Sequence, residues 1–125
     1  MLDDGAPIFS QIAESLAEQI AEGALVEGER VSSSNELAAY YRINPATAAK
    51  GLNVLIDDGL LEKRRGIGMF VAAGARERLL EDRRRRFAER YVEPLVAEAN
   101  RLGIDAEALV ALIRESDQSQ GGIKL

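Results

Sequence analysis

Cationic side chains at two places in the middle of the chain could bind an anionic partner. Thr47 and Lys50 are three residues apart, as on one face of a helix, and Lys63, Arg64 and Arg65 are consecutive. Lysine and arginine neutralise phosphates, and hydroxyl groups donate hydrogen bonds to phosphates or base edges. These residues are therefore candidates for binding a polyanion.

The charge is distributed unevenly along the chain. The 16 basic and 21 acidic residues give a net charge of −5. Residues 1–29 carry seven acidic residues and no basic one, residues 30–75 carry six basic and four acidic residues, and residues 76–125 carry ten of each. Only the middle segment is net positive, at +2, and this excess alone does not identify a polyanion partner.

The composition excludes several classes of chemistry. The chain has no cysteine and no histidine, which excludes thiolate metal sites, cysteine nucleophiles and imidazole bases. Residues 32–34 are three serines with no histidine to activate them, and Asp57 and Asp58 are expected at an exposed helix end. No glycine-rich phosphate loop occurs. We expect a protein that is not an enzyme, with no cofactor and no metal.

Two helix starts follow one another closely in the middle of the chain. Ser33 with Glu36 forms a capping-box pattern, and Asn44 with Pro45 is an N-cap followed by proline at the first helical position. Their separation is typical of a helix-turn-helix, whose second helix enters the DNA major groove, and also of structural helical hairpins. The predicted helices of this half cover residues 7–22, 33–41 and 45–57.

A pair of short strands is predicted next, over residues 60–64 and 67–71. The turn between them contains Gly66, and glycine accepts the positive φ that a tight turn needs. A hairpin after a helix-turn-helix gives the order of a winged helix-turn-helix, with a basic tip that could reach phosphates or a minor groove. An ordinary charged edge that prevents aggregation is the structural alternative. The candidate wing residues are Lys63, Arg64, Arg65, Gly66 and Gly68.

The third helix has one polar and one apolar face. At about 100° per residue, Lys50 lies about 60° from Thr47, on the side opposite the apolar residues. Gly51 lies near the polar face, and we expect it to let the helix approach a partner closely. The expected core residues are Ala48, Leu52 and Leu55.

Polar side chains at the two helix starts are further candidates. Ser33 and Asn35 could donate to phosphate together with backbone N–H groups of the second helix. Asn44 has the same position before the third helix. Capping alone also explains Ser33 and Asn44.

The last third predicts a helical tail with an apolar stripe. Pro94 predicts a kink or short break within residues 90–93, and Asp105 caps a final helix that runs to about residue 115. The apolar stripe needs a partner surface to bury it, and pairing of two identical chains about a two-fold axis is the commonest way to cover such a stripe. Its residues, the candidate dimerisation set, are Leu80, Phe87, Tyr91, Leu95, Leu102, Leu109 and Ile113. The arginines at 83–86 fit either an ion-paired, solvated helix or a DNA-backbone contact.

The expected fold is mainly α with a small β-hairpin. A winged helix-turn-helix over residues 1–74 precedes a two-helix dimerisation tail over 75–116, and the polar, glycine-rich segment 117–125 is expected to be disordered. The first twenty residues contain no lysine or arginine and no long apolar run. We therefore expect a cytoplasmic protein with no signal peptide and no membrane contact.

Spaced motifs through residues 7–71 resemble one known family. They are Pro7-Ile8-Phe9-x-Gln11-Ile12, Gly23-x-Leu25-x-x-Gly28, Ser33-x-x-Glu36-Leu37-Ala38, Gly59-Leu60-Leu61 and Gly66-x-Gly68-x-Phe70-Val71. Together they resemble the DNA-binding domain of the GntR family of bacterial transcription regulators. The form Asn44-Pro45-Ala46-Thr47 with Lys50, and the short tail ending in Arg101-Leu102-Gly103-Ile104, are similar to its small YtrA subfamily. The family usually has arginine where this chain has Asn35, so a different sequence preference is expected.

The resemblance implies a function and leaves one alternative. It implies a homodimeric regulator, a repressor in most relatives, that binds double-stranded DNA at an inverted-repeat operator. Any small-molecule effector is unknown, and the tail is too short for a large ligand domain. The alternative is a winged-helix module for protein–protein contact, which the acidic first helix favours.

Overall fold

The computed structural model describes residues 5–121 of the chain, which form two compact units divided between Arg83 and Arg84. The first unit holds three helices, the start of a fourth and a three-stranded antiparallel sheet, and the second unit is helical, so the predicted mainly α fold class is confirmed. The elements are α1 (Ile8–Glu22), β1 (Arg30–Val31), α2 (Ser34–Tyr41), α3 (Pro45–Asp57), β2 (Leu61–Arg64), β3 (Gly68–Val71), α4 (Ala75–Phe87), a π-helical turn (Ala88–Val92), α5 (Glu93–Arg101) and α6 (Ala106–Gln120).

The core of the first unit lies between α1, α2, α3 and the sheet. Ile12, Ile20 and Leu52 are the largest fully buried side chains. The apolar residues of α1 recur every three or four positions, so one stripe of the helix is buried while its acidic residues face solvent. The helix ends at Gly23, whose φ of 82° is the left-handed conformation that a glycine cap adopts.

Both predicted helix starts are confirmed. Ser33 Oγ accepts a hydrogen bond from the Glu36 backbone N–H at 3.1 Å, and Glu36 Oε1 accepts one from the Ser33 N–H at 2.9 Å. Asn44 Oδ1 accepts from the Ala46 N–H at 2.8 Å, and Pro45 begins α3. These caps determine where the two helices of the helix-turn-helix begin.

The sheet has one strand more than the predicted hairpin. Its order is β1-β3-β2, with Val31 opposite Met69 and Leu61 opposite Val71. No strand was predicted before residue 60, but Arg30 begins β1. A strand of two residues is too short to show an alternating pattern, so its pairing with β3 could not be predicted.

Gly51 serves a different purpose from the one predicted. The residue is buried, and a Cβ placed on it would lie 2.9 Å from the Phe9 carbonyl oxygen and 3.3 Å from Ile12 Cγ2. Its missing side chain therefore allows α3 to pack closely on α1, not on an external partner.

The first unit extends nine residues beyond the predicted boundary at residue 74, because the start of α4 packs on it. Ala75 and Leu79 are buried in its core. Arg76 Nε donates to the Ala21 carbonyl at 2.9 Å, and Arg78 Nη2 donates to the carbonyls of Gly59 at 2.6 Å and Ala73 at 3.0 Å. Leu80, which we placed in the dimerisation stripe, is half-buried against this core.

The second unit confirms the predicted break before Pro94. Residues Ala88–Val92 form a π-helical turn, because proline lacks an N–H and its ring displaces the carbonyl four residues earlier. Asp105 Oδ1 caps α6 by accepting from the Ala108 N–H at 2.8 Å.

The predicted disorder of residues 117–125 is wrong for residues 117–120, which belong to α6. Their polar side chains are compatible with an exposed helix, and Ser119 Oγ donates to the Glu115 carbonyl at 3.3 Å. The helix ends at Gly121, whose N–H donates to the Asp117 carbonyl at 2.7 Å. Residues 122–125 lie outside the described part of the chain. Within residues 5–121, no helix is long and apolar enough to cross a lipid bilayer.

The contact at Gly51 predicts a large effect on stability. Replacing Gly51 with valine forces α1 and α3 apart, because the new Cβ meets backbone, and overpacking of this kind costs about 1–3 kcal/mol. Asn53→Val places the same side chain on the exposed face of α3 and should change stability by less than about 0.5 kcal/mol. Urea unfolding of both variants measures the difference. Equal stability of Gly51→Val and the wild type would show that the helices are not in close contact here.

Candidate nucleic-acid interface

The outward face of α3 carries Thr47 and Lys50, as predicted. Ala48, Leu52 and Leu55 on the opposite side are at most 2% exposed, whereas Lys50 is exposed and Thr47 is half-buried. Lys50 Nζ lies 4.1 Å from the centroid of the Phe9 ring of α1, a cation–π contact that holds the ammonium group against the first helix. One edge of the first unit thus presents a hydroxyl group and an oriented cation.

The start of α2 presents polar side chains next to backbone N–H groups. Asn35 is exposed in its first turn. The Ser33 hydroxyl oxygen accepts the capping hydrogen bond, and its own proton can donate to a second group, so capping and phosphate contact are compatible. The Asn44 amide likewise caps α3 through its oxygen while its nitrogen carries two donors.

Glu36 places a negative charge in the same helix turn. Hydrogen bonding from the Ser33 backbone N–H lowers the pKa of its carboxyl group, with further lowering from the Ser33 side chain and the Arg30 guanidinium. Since the charged form is favoured, Glu36 is ionised at neutral pH. Any anion that approaches the start of α2 meets this carboxylate.

The wing is a hairpin whose tip is formed by residues 65–67. Gly66 and Gly68 have positive φ values of 76° and 139°, which glycine adopts readily. Lys63 and Arg65 are exposed. Arg64 is oriented by two neighbours: its Nε lies 3.0 Å from Glu62 Oε1, and its guanidinium carbon lies 4.3 Å from the centroid of the Phe70 ring.

Arg30, which we did not predict as a site residue, joins two of these groups. Its Nη2 lies 3.2 Å from Glu36 Oε1, and a Cβ built on Gly68 would lie 3.3 Å from its Nε. The wing, at the tip end of β3, and the start of α2 are therefore connected through one side chain. Phe9 was also missed. Neither could be found from spacing, because the approach of Arg30 to Gly68 and that of Lys50 to Phe9 each join elements that are distant in sequence.

The first arginine of the run at 83–86 is ion-paired, which supports the interpretation of this run as part of a solvated helix. Arg83 Nη2 lies 3.1 Å from Glu18 Oε2 of α1, an ion pair within the first unit. Among residues 5–121, no three histidine, cysteine or carboxylate side chains lie close enough together to hold a metal ion.

The second unit exposes a set of large apolar side chains. Phe87 and Tyr91 pack ring on ring with centroids 5.5 Å apart, yet each stays more than half exposed. Leu95 and Leu102 are also exposed, whereas Leu109 and Ile113 are half-buried. Four further large apolar residues of this unit are exposed but were not part of the predicted stripe: Val92, Val96, Val110 and Leu112.

Comparison with known proteins gives a consistent set of relatives. The family model described as bacterial regulatory proteins, gntR family, matches residues 9–71. The HTH-type transcriptional repressor YtrA of Bacillus subtilis is 30% identical over 119 residues, which cover 94% of this chain and 91% of that protein.

Two solved structures extend the comparison. A GntR family transcriptional regulator from Listeria monocytogenes is 26% identical with a TM-score of 0.63, over 91% of this chain and 98% of that one. The DNA-binding domain of AraR, solved in complex with operator ORR3, is 26% identical with a TM-score of 0.53, over 58% of this chain and 87% of that one.

Proposed function

Because this chain belongs to the GntR family of bacterial regulatory proteins, we propose that it represses transcription by binding an inverted-repeat operator as a homodimer. Family membership makes it a DNA-binding transcriptional regulator and not an enzyme, and it does not favour the alternative of a protein–protein module. The observation that carries the proposal is the outward face of α3, where Thr47 and oriented Lys50 lie opposite a fully buried face.

The proposed contacts divide between bases and phosphates. The outer face of α3 enters the major groove, where Thr47 and Lys50 reach base edges or the adjacent backbone. Ser33, Asn35 and Asn44 donate to phosphates from the helix starts. The related AraR domain was solved on an operator, which supports DNA as the partner of this fold. Asn35 offers an amide where relatives usually offer arginine, so we expect a different operator preference.

The wing supplies a second contact with the DNA backbone. Lys63, Arg64 and Arg65 project from β2 and the tip, and Gly66 and Gly68 shape the turn. Arg64 is held along the sheet by Glu62 and Phe70, so its guanidinium is oriented before DNA arrives. We assign these residues to phosphates or a minor groove, where contacts are largely independent of sequence.

The partner that covers the exposed apolar side chains of the second unit is a second copy of this chain. A two-fold arrangement buries the same surface on both copies and presents two α3 helices to one duplex. From the dimerisation set proposed from the sequence, the exposed residues Phe87, Tyr91, Leu95 and Leu102 contribute, together with the half-buried Leu109 and Ile113. A small-molecule effector would act by changing the pairing of the two copies. Because its partner is chromosomal DNA, the regulator works in the cytoplasm.

The recognition helix gives the first functional prediction. Thr47→Ala and Lys50→Ala should each weaken binding to a defined operator by about 1–3 kcal/mol, because each removes one base or phosphate contact. Both residues lie opposite the buried face, so the melting temperature should stay close to that of the wild type. Arg114→Ala, which removes an exposed cation from α6, is the matched control. Unchanged operator affinity in both α3 variants would exclude this helix as the reader.

The wing gives a prediction about salt dependence. Arg64→Ala with Arg65→Ala should weaken binding to all duplexes alike and flatten the slope of log K against log salt by about one for each phosphate that is no longer neutralised. Glu62→Gln keeps both arginines and should not flatten the slope. Titrations at several salt concentrations measure this, and an identical slope for the double variant would mean that the tip does not touch the backbone.

The second unit gives a prediction about assembly. The chain should sediment as a dimer at tens of micromolar, and Leu95→Asp should shift it to monomer because a charge replaces an apolar contact. Asn100→Asp adds the same charge at an exposed polar position of α5 and should leave the dimer intact. The monomeric variant should bind the full operator about 100-fold more weakly, since the two heads are no longer linked. A wild type that sediments as a monomer would contradict the proposed assembly.

A further inference from the structure

Arg30 lies where the wing meets the helix-turn-helix. It is a residue of β1, and its Cα pairs with that of Phe70 on β3. Its side chain runs past Gly68, where a Cβ would lie 3.3 Å from Nε, and its Nη2 reaches Glu36 Oε1 at 3.2 Å. The side chain thus lies beside the wing on one side and pairs with α2 on the other.

Glu36 completes this connection. The same Oε1 atom that pairs with Arg30 also accepts the hydrogen bond from the Ser33 N–H at 2.9 Å. The wing strand, the Arg30 side chain and the capping box of α2 therefore form one continuous set of contacts. A shift of β1, together with the β3 strand it pairs with, relative to α2 would break the ion pair.

The charge of Glu36 makes this connection important for DNA binding. Its carboxylate lies in the first turn of α2, beside Ser33 and Asn35, which we assigned to phosphates. A carboxylate there repels phosphates, and the attraction of Arg30 offsets that repulsion at close range. Glu36 closes the capping box of α2, and Arg30 from the neighbouring strand offsets its charge.

We propose that Arg30 is a positioning residue of the DNA-binding surface, which holds the wing against the start of α2 and neutralises Glu36 for phosphate contact. The proposal rests on the proposed function, since it concerns the same interface. It assigns Arg30 an effect that passes through Glu36 and not through a direct contact with bases.

Because the Arg30–Glu36 ion pair is exposed, a role in DNA binding can be distinguished from a role in folding stability. The side chains of Arg30 and Glu36 are 52% and 54% exposed, and exposed ion pairs contribute little to folding stability. Loss of Arg30 should therefore reduce DNA affinity with little change in melting temperature. Arg101 and Glu98 form a comparable exposed pair at 3.0 Å in the second unit and provide a matched control.

The test is a double-mutant cycle on the full-length chain with a duplex that the wild type binds. Arg30→Gln should weaken binding about tenfold, equivalent to about 1.4 kcal/mol, and Arg30→Lys should recover part of that loss. Glu36→Gln keeps the cap, because glutamine also serves in a capping box. In that background Arg30→Gln should change affinity by less than about twofold, because no carboxylate remains to be neutralised. Arg101→Gln should have no effect.

Each other outcome overturns the proposal in a recognisable way. An effect of Arg30→Gln no larger than that of Arg101→Gln would show that Arg30 has no role at the interface. The same tenfold loss with and without Glu36 would show that Arg30 acts on DNA directly. A parallel fall in melting temperature would show a structural role. Absence of salt-dependent duplex binding by the wild type would overturn the proposed function as well, whereas the first three outcomes leave it standing.

Discussion

The close packing of α3 on α1 is the constraint on which the rest of the interface depends. Gly51 lies against the Phe9 carbonyl with no room for a side chain, and Ala48, Leu52 and Leu55 are buried on that side of α3. A helix held this closely cannot rotate about its axis, so the same face always points outward. The direction of Thr47 and Lys50 follows from this contact, and so does the ring of Phe9 beneath Lys50.

Three cations of the interface make contacts that hold their side chains in place before a ligand is present. Lys50 lies on Phe9, Arg64 on Phe70 beside Glu62, and Arg30 between Gly68 and Glu36. A long cationic side chain loses conformational entropy when it binds, and neighbours that restrict it in advance reduce that loss. The interface therefore combines a net charge that is only slightly positive with charges in defined positions.

Local sequence patterns predicted most of the helices and strands. The features that these patterns did not predict depend on contacts between elements that are distant in sequence. The capping box at Ser33 and the Asn44-Pro45 start gave the helix boundaries, and the amphipathic pattern identified the buried face of α3. Strand β1 could not be predicted, since two residues show no alternation. The purpose of Gly51 depended on where α1 would lie, and the end of the first unit depended on carbonyls that Arg76 and Arg78 reach from α4. For the same reason the candidate list omitted Arg30.

The central claim is that two copies of the chain present two α3 helices to one duplex. Selection of bound sequences from a random duplex library, with the full-length chain, tests it most directly. We expect enrichment of an inverted repeat whose half-sites lie about 10 base pairs apart, or a multiple of that distance, because both helices must read one face of the DNA. A library that shows no enrichment, or an enriched site with no two-fold symmetry, would contradict it.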